Sequence, residues 1–113
     1  MLSSKYRFHS RGGVKYTYKK GKTIRRPGLS LVFADNSRGH TRFAVVVSKK
    51  VLKSAVDRNR VRRRLYELIR LNLGNFKQPR DYIFVVFDRK IKDLSHKDLE
   101  KLVRSLAGES MLQ

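Results

Sequence analysis

The chain has 113 residues, a length that suits one compact domain, and its 28 Lys and Arg against nine Asp and Glu give a formal charge of +19. Its 40% hydrophobic content argues against wholesale disorder, and the absence of cysteine excludes disulfides, a thiol nucleophile and a Cys-based zinc site. No apolar run approaches the roughly 20 residues of a membrane span. Residues 1–13 lack the apolar core of a signal peptide. The expected address is the cytoplasm, and the expected partner is a nucleic acid ahead of an anionic membrane surface.

In chain order, residues 1–13 are polar and basic, and Gly12-Gly13 argues against a continuous helix there. Val14, Tyr16 and Tyr18 alternate with Lys15, Thr17 and Lys19, which predicts a short strand. Residues 19–22 read as a basic turn, and Arg25-Arg26-Pro27-Gly28 as a second one. Leu29, Leu31 and Phe33 alternate with Ser30, Val32 and Ala34 and predict a strand. After turn chemistry at residues 35–39, residues 43–47 predict another strand, antiparallel to the first.

A helix is expected over residues 54–72. At 100° per residue Val61, Leu65, Leu68 and Ile69 share one side. Asn59, Arg62, Arg63, Tyr66 and Arg70 fall on another, and Arg60 and Arg64 take a third direction. Gly74 supplies a stop signal. The run DYIFVVF, residues 81–87, reads as a central strand buried on both faces. Ser95, with Asp98 three residues on, marks the start of a final amphipathic helix that Gly108 is expected to end. The expected architecture is a single α+β domain over 1–113, with residues 1–13 and 109–113 flexible.

Nine Lys or Arg lie between Lys49 and Arg70, against two acids, Asp57 and Glu67. A solvated helix face normally mixes signs so that charges pair at i,i+4. Arg62-Arg63-Arg64 are instead consecutive and nearly unpaired, which points to a phosphate backbone. Arg also suits bidentate phosphate contacts and stacking on bases. Tyr16, Tyr18 and Phe33 are candidate stacking platforms, with core packing as the alternative and Phe33 leaning towards the core.

Other chemistries fare worse. His9, His40 and His96 lie in separate polar segments, which does not suggest an acid–base pair. No His-x₃-His or carboxylate cluster has metal-ligand spacing. Ser48-Lys49 is not a nucleophile pair, because adjacent extended residues point to opposite faces. Capping and turn duties account for Asp81, Asp88 and Asp93. No catalytic or metal-binding residue is therefore expected.

The stretch RFAVVVSKKVLKSAVDRNRVRRRLYE resembles the signature of the bacterial ribonuclease P protein component. It holds an Arg-led strand ending Val47-Ser48-Lys49-Lys50, then Arg58-Asn59-Arg60-Val61-Arg62-Arg63 at the family's spacing. The resemblance implies an α/β sandwich of the ribosomal protein S5 domain 2 type, with a left-handed β-α-β crossover. It implies a catalytic RNA that uses RNA-bound Mg²⁺ to remove the 5′ leader of precursor tRNA, assisted by a protein without catalytic groups. Its implied partners are that RNA and precursor tRNA, with no membrane and no small-molecule substrate. Lys49, Lys50, Lys53, Arg60, Arg63 and Arg64 would face the catalytic RNA, whereas Tyr18, Leu31, Phe33, Arg58, Asn59, Arg62 and Tyr66 would serve the leader.

Three departures from the family pattern stand out. Ala44 replaces a usual Gly, Tyr66 replaces a common Arg, and Gly12-Gly13 with the Tyr16/Tyr18 alternation replaces a short helix bearing Phe-x₃-Phe. A purely structural RNA binder and a self-sufficient nuclease remain the competing classes.

Overall fold

A computed structural model describes residues 2–8 and 11–113. The elements are α1 (Arg11–Lys20), β1 (Lys22–Arg26), β2 (Leu29–Asp35), β3 (Arg42–Val47), α2 (Ala55–Leu71), β4 (Arg80–Val86) and α3 (His96–Met111). One mixed four-stranded sheet has the order β1-β2-β4-β3. β4 is antiparallel to β2 and parallel to β3, so α2 is the crossover between two adjacent parallel strands. β2 and β3 run in opposite directions as expected but are not neighbours, because β4 is inserted between them.

Alternation along the strands divides the core in two. The rungs Leu29–Val86–Val47, Leu31–Phe84–Val45 and Phe33–Tyr82–Phe43 belong to the large cluster that includes Val61, Leu65, Leu68 and Ile69 of α2 and Leu99, Val103 and Leu106 of α3. Each such side chain contributes roughly 1.5–3 kcal/mol by leaving water. The opposite parity, Val32, Ile83 and Ala44, forms a smaller cluster with Phe8, against which Val14 of α1 packs. β4 is buried from both sides, as its near-continuous apolar sequence predicts, but Phe87, the last residue of the expected run, lies beyond the strand and is exposed.

α2 begins where expected, with the Ser54 hydroxyl accepting from the Asp57 N–H at 3.3 Å. α3 is capped likewise by Ser95, whose hydroxyl accepts from the Asp98 N–H at 3.1 Å. It runs on through Gly108 to Met111, because Ala107 and Ser110 are buried on either side of that glycine. Packing of the apolar face outweighs the cost of one helical glycine, about 1 kcal/mol.

Two N-terminal expectations are corrected. Residues 14–18 are helical, not a strand, and α1 spans the Gly pair. Thr17 is fully buried and Val14 half-buried, so one face of α1 is held by the sheet and tertiary contact overrides local propensity. Residues 22–26 form strand β1, which takes in Lys22 and Arg25-Arg26 of the two expected turns. Only Ile24 of KTIRR is buried, which conceals the strand from a hydrophobic pattern. The turn into β2 is confined to Pro27-Gly28, where Gly28 has φ +79° and a Cβ would meet Ile91 Cδ1 at 3.0 Å.

Candidate nucleic-acid interface

The charged stretch begins as β3 leaves the sheet. The N–H groups of Val51 and Leu52 both donate to the Ser48 carbonyl at 3.1 Å, which turns the chain and leaves Lys49, Lys50 and Lys53 exposed. Arg58 closes this loop by donating to the carbonyls of Leu52 at 2.8 Å and Lys53 at 2.9 Å. Its guanidinium therefore positions the lysines as much as it offers charge.

Along α2 the arginines divide by what they touch. Arg62 donates to Asn59 Oδ1 at 2.8 Å. Arg64 reaches the segment between β4 and α3, donating to the Lys92 carbonyl at 3.3 Å and the Leu94 carbonyl at 2.6 Å. Partial burial, then the nearby Arg60 charge, lowers the Arg64 pKa from its ordinary value. Arg70 pairs with Glu67, whose carboxyl is held at about 2, chiefly by hydrogen bonding to that guanidinium. Arg60 and Arg63 are exposed, and among the described residues neither has a carboxylate within ion-pair distance. Arg60 and Arg64 line a groove of about 650 Å³ with Lys92 and His96, where Asp57 is already 3.7 Å from the Lys92 ammonium.

Of the residues expected at the leader, Tyr18, Asn59 and Arg62 are accessible to differing extents, and three others are not. Tyr18 is 44% exposed, and burial of the rest of its side chain raises the pKa of its hydroxyl. Leu31 and Phe33 are 0% and 2% exposed on the sheet face covered by α2 and α3, so they are core residues. The β2 residues with the opposite parity are Ser30, Val32 and Ala34. Tyr66 is also corrected: its ring belongs to the core, and its hydroxyl accepts from the Val45 N–H at 3.2 Å. The Arg7 guanidinium lies 5.6 Å from that ring's centre, so Tyr66 is not free to stack on a base. Arg7 itself, whose Nε is buried without a partner among the described residues, carried no recognisable signal in the sequence.

The discounted chemistries stay apart. His40 lies in the β2–β3 connection and His96 opens α3, both exposed, while His9 lies outside the described residues. Asp88 accepts from the Lys90 N–H at 2.9 Å as a cap, and Asp81 is clamped by Arg42. No helix among the described residues is long and apolar enough to cross a membrane.

Comparison with known proteins identifies the family and the fold. The profile of the Ribonuclease P family matches residues 2–110. The ribonuclease P protein component of Clostridium novyi is 41% identical over 91 residues, covering 79% of each chain. That of Finegoldia magna is 39% identical over 83 residues, covering 74% of this chain and 71% of its own. The fold is shared with the RNase P protein of Thermotoga maritima, with a TM-score of 0.82 at 20% identity over 91% of this chain and 96% of that one. It is shared also with a Staphylococcus aureus RNase P protein mutant with defective mRNA degradation activity, with a TM-score of 0.84 at 22% identity over 95% and 89%. A matching profile over nearly the whole chain, with relatives above 30% identity across most of it, places the chain in the ribonuclease P protein family.

Proposed function

We propose that the chain is the protein subunit of a ribonuclease P, the endoribonuclease that removes the 5′ leader from precursor tRNA by hydrolysing one phosphodiester. In this reading a catalytic RNA performs the cleavage with Mg²⁺, and the protein binds that RNA and the leader in the cytoplasm. Among the described residues no three His, Asp or Glu side chains come together to hold a cation, and Mg²⁺ is assigned to the RNA.

The observation that carries the reading is the group of exposed cations without a carboxylate partner among the described residues, Lys49, Lys50 and Lys53 on the loop and Arg60 and Arg63 on α2. Their mutual repulsion costs stability until a polyanion neutralises them, and they are assigned to the catalytic RNA's phosphates. Arg64 joins them with the donors not used on the Lys92 and Leu94 carbonyls. Tyr18, Asn59 and Arg62 are assigned to the single-stranded leader: an exposed ring to stack, and an amide and guanidinium oriented by their own hydrogen bond. Arg58 acts there by positioning the loop.

The test is cleavage of precursor tRNA at low Mg²⁺ by the cognate catalytic RNA, with and without the protein, beside a protein-alone reaction. Cleavage rescued by the protein, with none by protein alone, is expected. Tight RNA binding without rescue would make the chain a structural RNA binder. Cutting by the protein alone would mean that it holds an active site of its own.

A further inference from the structure

Phe87 follows β4 and has no part in the interface above, yet it is 44% exposed and lines a hollow of about 350 Å³. Pro27, Gly28, Ile91 and Leu94 supply most of the remaining wall. The Phe87 N–H donates to the Gly28 carbonyl at 3.0 Å, which ties the end of β4 to the β1–β2 turn. Such a volume lies at the lower end for small-molecule sites, roughly 300–1,000 Å³, and suits a single ring system. Asp88 also lines the hollow. Its Oδ1 accepts from the Lys90 N–H at 2.9 Å, while nothing among the described residues donates to its Oδ2 or brings a cation within ion-pair distance. An open carboxylate repels phosphate and accepts N–H groups, so the hollow suits a flat ring with donors on its edge. Among the nucleobases guanine presents two such donors side by side, N1–H and N2–H, on an edge that only an unpaired base leaves open.

The hollow is continuous with the basic surface. Leu94 lines both it and the groove of Arg60, Arg64, Lys92 and His96, and Arg64 fastens that segment by donating to the Leu94 carbonyl at 2.6 Å. Lys90 stands at the hollow, exposed and without a carboxylate partner among the described residues, and offers a phosphate contact.

We propose that the hollow seats one unpaired guanine of the catalytic RNA, stacked on Phe87 with its N1–H and N2–H donating to Asp88, while flanking phosphates meet Lys90 and the cations of α2. The inference rests on the reading of the chain as a subunit that binds this RNA. The formal charge of +19 favours a polyanion over an apolar peptide as occupant, and continuity with the α2 surface favours the catalytic RNA over the leader.

The experiment compares wild type, Phe87→Ala, Phe87→Tyr, Asp88→Asn, Lys90→Ala and Arg60→Ala as full chains, with urea unfolding measured alongside. Affinity is measured for the cognate catalytic RNA and, in the reconstituted holoenzyme, for precursor tRNA. The catalytic RNA, free and bound, is also treated with a dicarbonyl reagent that modifies N1 and N2 of unpaired guanines. Wild type is expected to protect one guanine that Phe87→Ala leaves reactive. Phe87→Ala is expected to weaken catalytic-RNA binding by roughly five- to a hundredfold, with Phe87→Tyr near wild type. Asp88→Asn keeps the Oδ1 that caps the Lys90 N–H but puts an amide donor in place of Oδ2, so it is expected to weaken binding roughly tenfold and to uncover the same guanine. Lys90→Ala is expected to lower the salt slope by roughly 0.7–0.9. Affinity and guanine reactivity unchanged by Phe87→Ala, while Arg60→Ala still weakens binding, would overturn the hollow and leave the α2 interface standing. Weaker binding with no guanine uncovered, or weakening confined to precursor tRNA, would overturn the occupant. No effect of any variant, Arg60→Ala included, would overturn the reading on which the proposal rests.

Discussion

Arg42 and Arg80 begin β3 and β4 with side chains 11% and 4% exposed, and each holds a carboxylate at 2.7 Å. Arg60 and Arg63 lie on α2 beyond the other end of β3, exposed and with no such partner among the described residues. Arg80 also donates to the carbonyls of Ser110, at 2.8 Å, and Gln113, and its guanidinium lies 5.0 Å from the centre of the Phe33 ring. It thereby fastens the end of α3 to the sheet. The same residue type serves as internal scaffold at one end and as unpaired charge at the other, and the difference lies in the neighbours. A strongly basic protein can hold a stable core if some of its arginines are sequestered against acids and carbonyls of the fold, as Arg42 is by the buried Asp81 and Arg80 by the exposed Asp35, while the rest are displayed on a separate surface.

The largest expected effect of breaking this division is on stability at the scaffold end. Arg42→Ala leaves Asp81, 6% exposed, without its counter-charge and is expected to cost about 3–5 kcal/mol in urea unfolding. Replacing both partners with apolar residues, Arg42→Met with Asp81→Leu, is expected to recover most of that loss. A single-variant loss under about 1 kcal/mol would show that the pair is not the scaffold described.

Tyr66→Phe sharpens the comparison within α2. It removes the acceptor of the Val45 N–H and is expected to cost about 1–3 kcal/mol of stability, with leader affinity of the folded protein unchanged. Weaker leader binding without loss of stability would return Tyr66 to the interface. Ser54→Ala comes next, at about 1 kcal/mol, because Ser54 caps the Asp57 N–H at the start of the basic helix.

The smallest effect concerns the exposed Glu67–Arg70 pair. The folded Glu67 carboxyl lies at about 2 against an ordinary 4.5, so its stabilisation is present above the ordinary value and is lost as pH falls towards 2. NMR titration is expected to place Glu67 near 2, and Glu67→Gln to flatten that part of the acid-unfolding curve. Titration at an ordinary carboxylate value would contradict the pairing.

Much of the architecture was legible because packing and local pattern agreed. β2, α2, β4 and the Ser95 cap follow from hydrophobic pattern and cap chemistry, whereas the cap at Ser54 is seen in the structure. α1 and β1 were hidden because each buries few residues, Val14 and Thr17 in one and Ile24 in the other, while glycines and basic residues dominate their sequences. The pairing of β3 with β4 depends on a crossover that no local pattern reports. In the candidate interface, charge density picked out the exposed basic loop and helix. It could not separate Arg58 and Arg64, which spend donors on backbone carbonyls, from Arg60 and Arg63, because the carbonyls that hold Arg58 lie in the turn just before α2 and those that hold Arg64 in the distant segment between β4 and α3. Leu31 and Phe33 went astray through strand parity: alternation identifies two faces, but only the packed helices decide which of them is core.

The most direct test is the salt dependence of catalytic-RNA affinity for wild type and for Arg60→Ala/Arg63→Ala, with unfolding measured alongside. Wild type is expected to bind more weakly as salt rises, and the double variant to lose roughly 0.7–0.9 of log–log slope per removed contact, with stability within about 0.5 kcal/mol of wild type per substitution. An unchanged slope, or a slope change accompanied by unfolding, would contradict the assignment of these arginines to the RNA-facing surface.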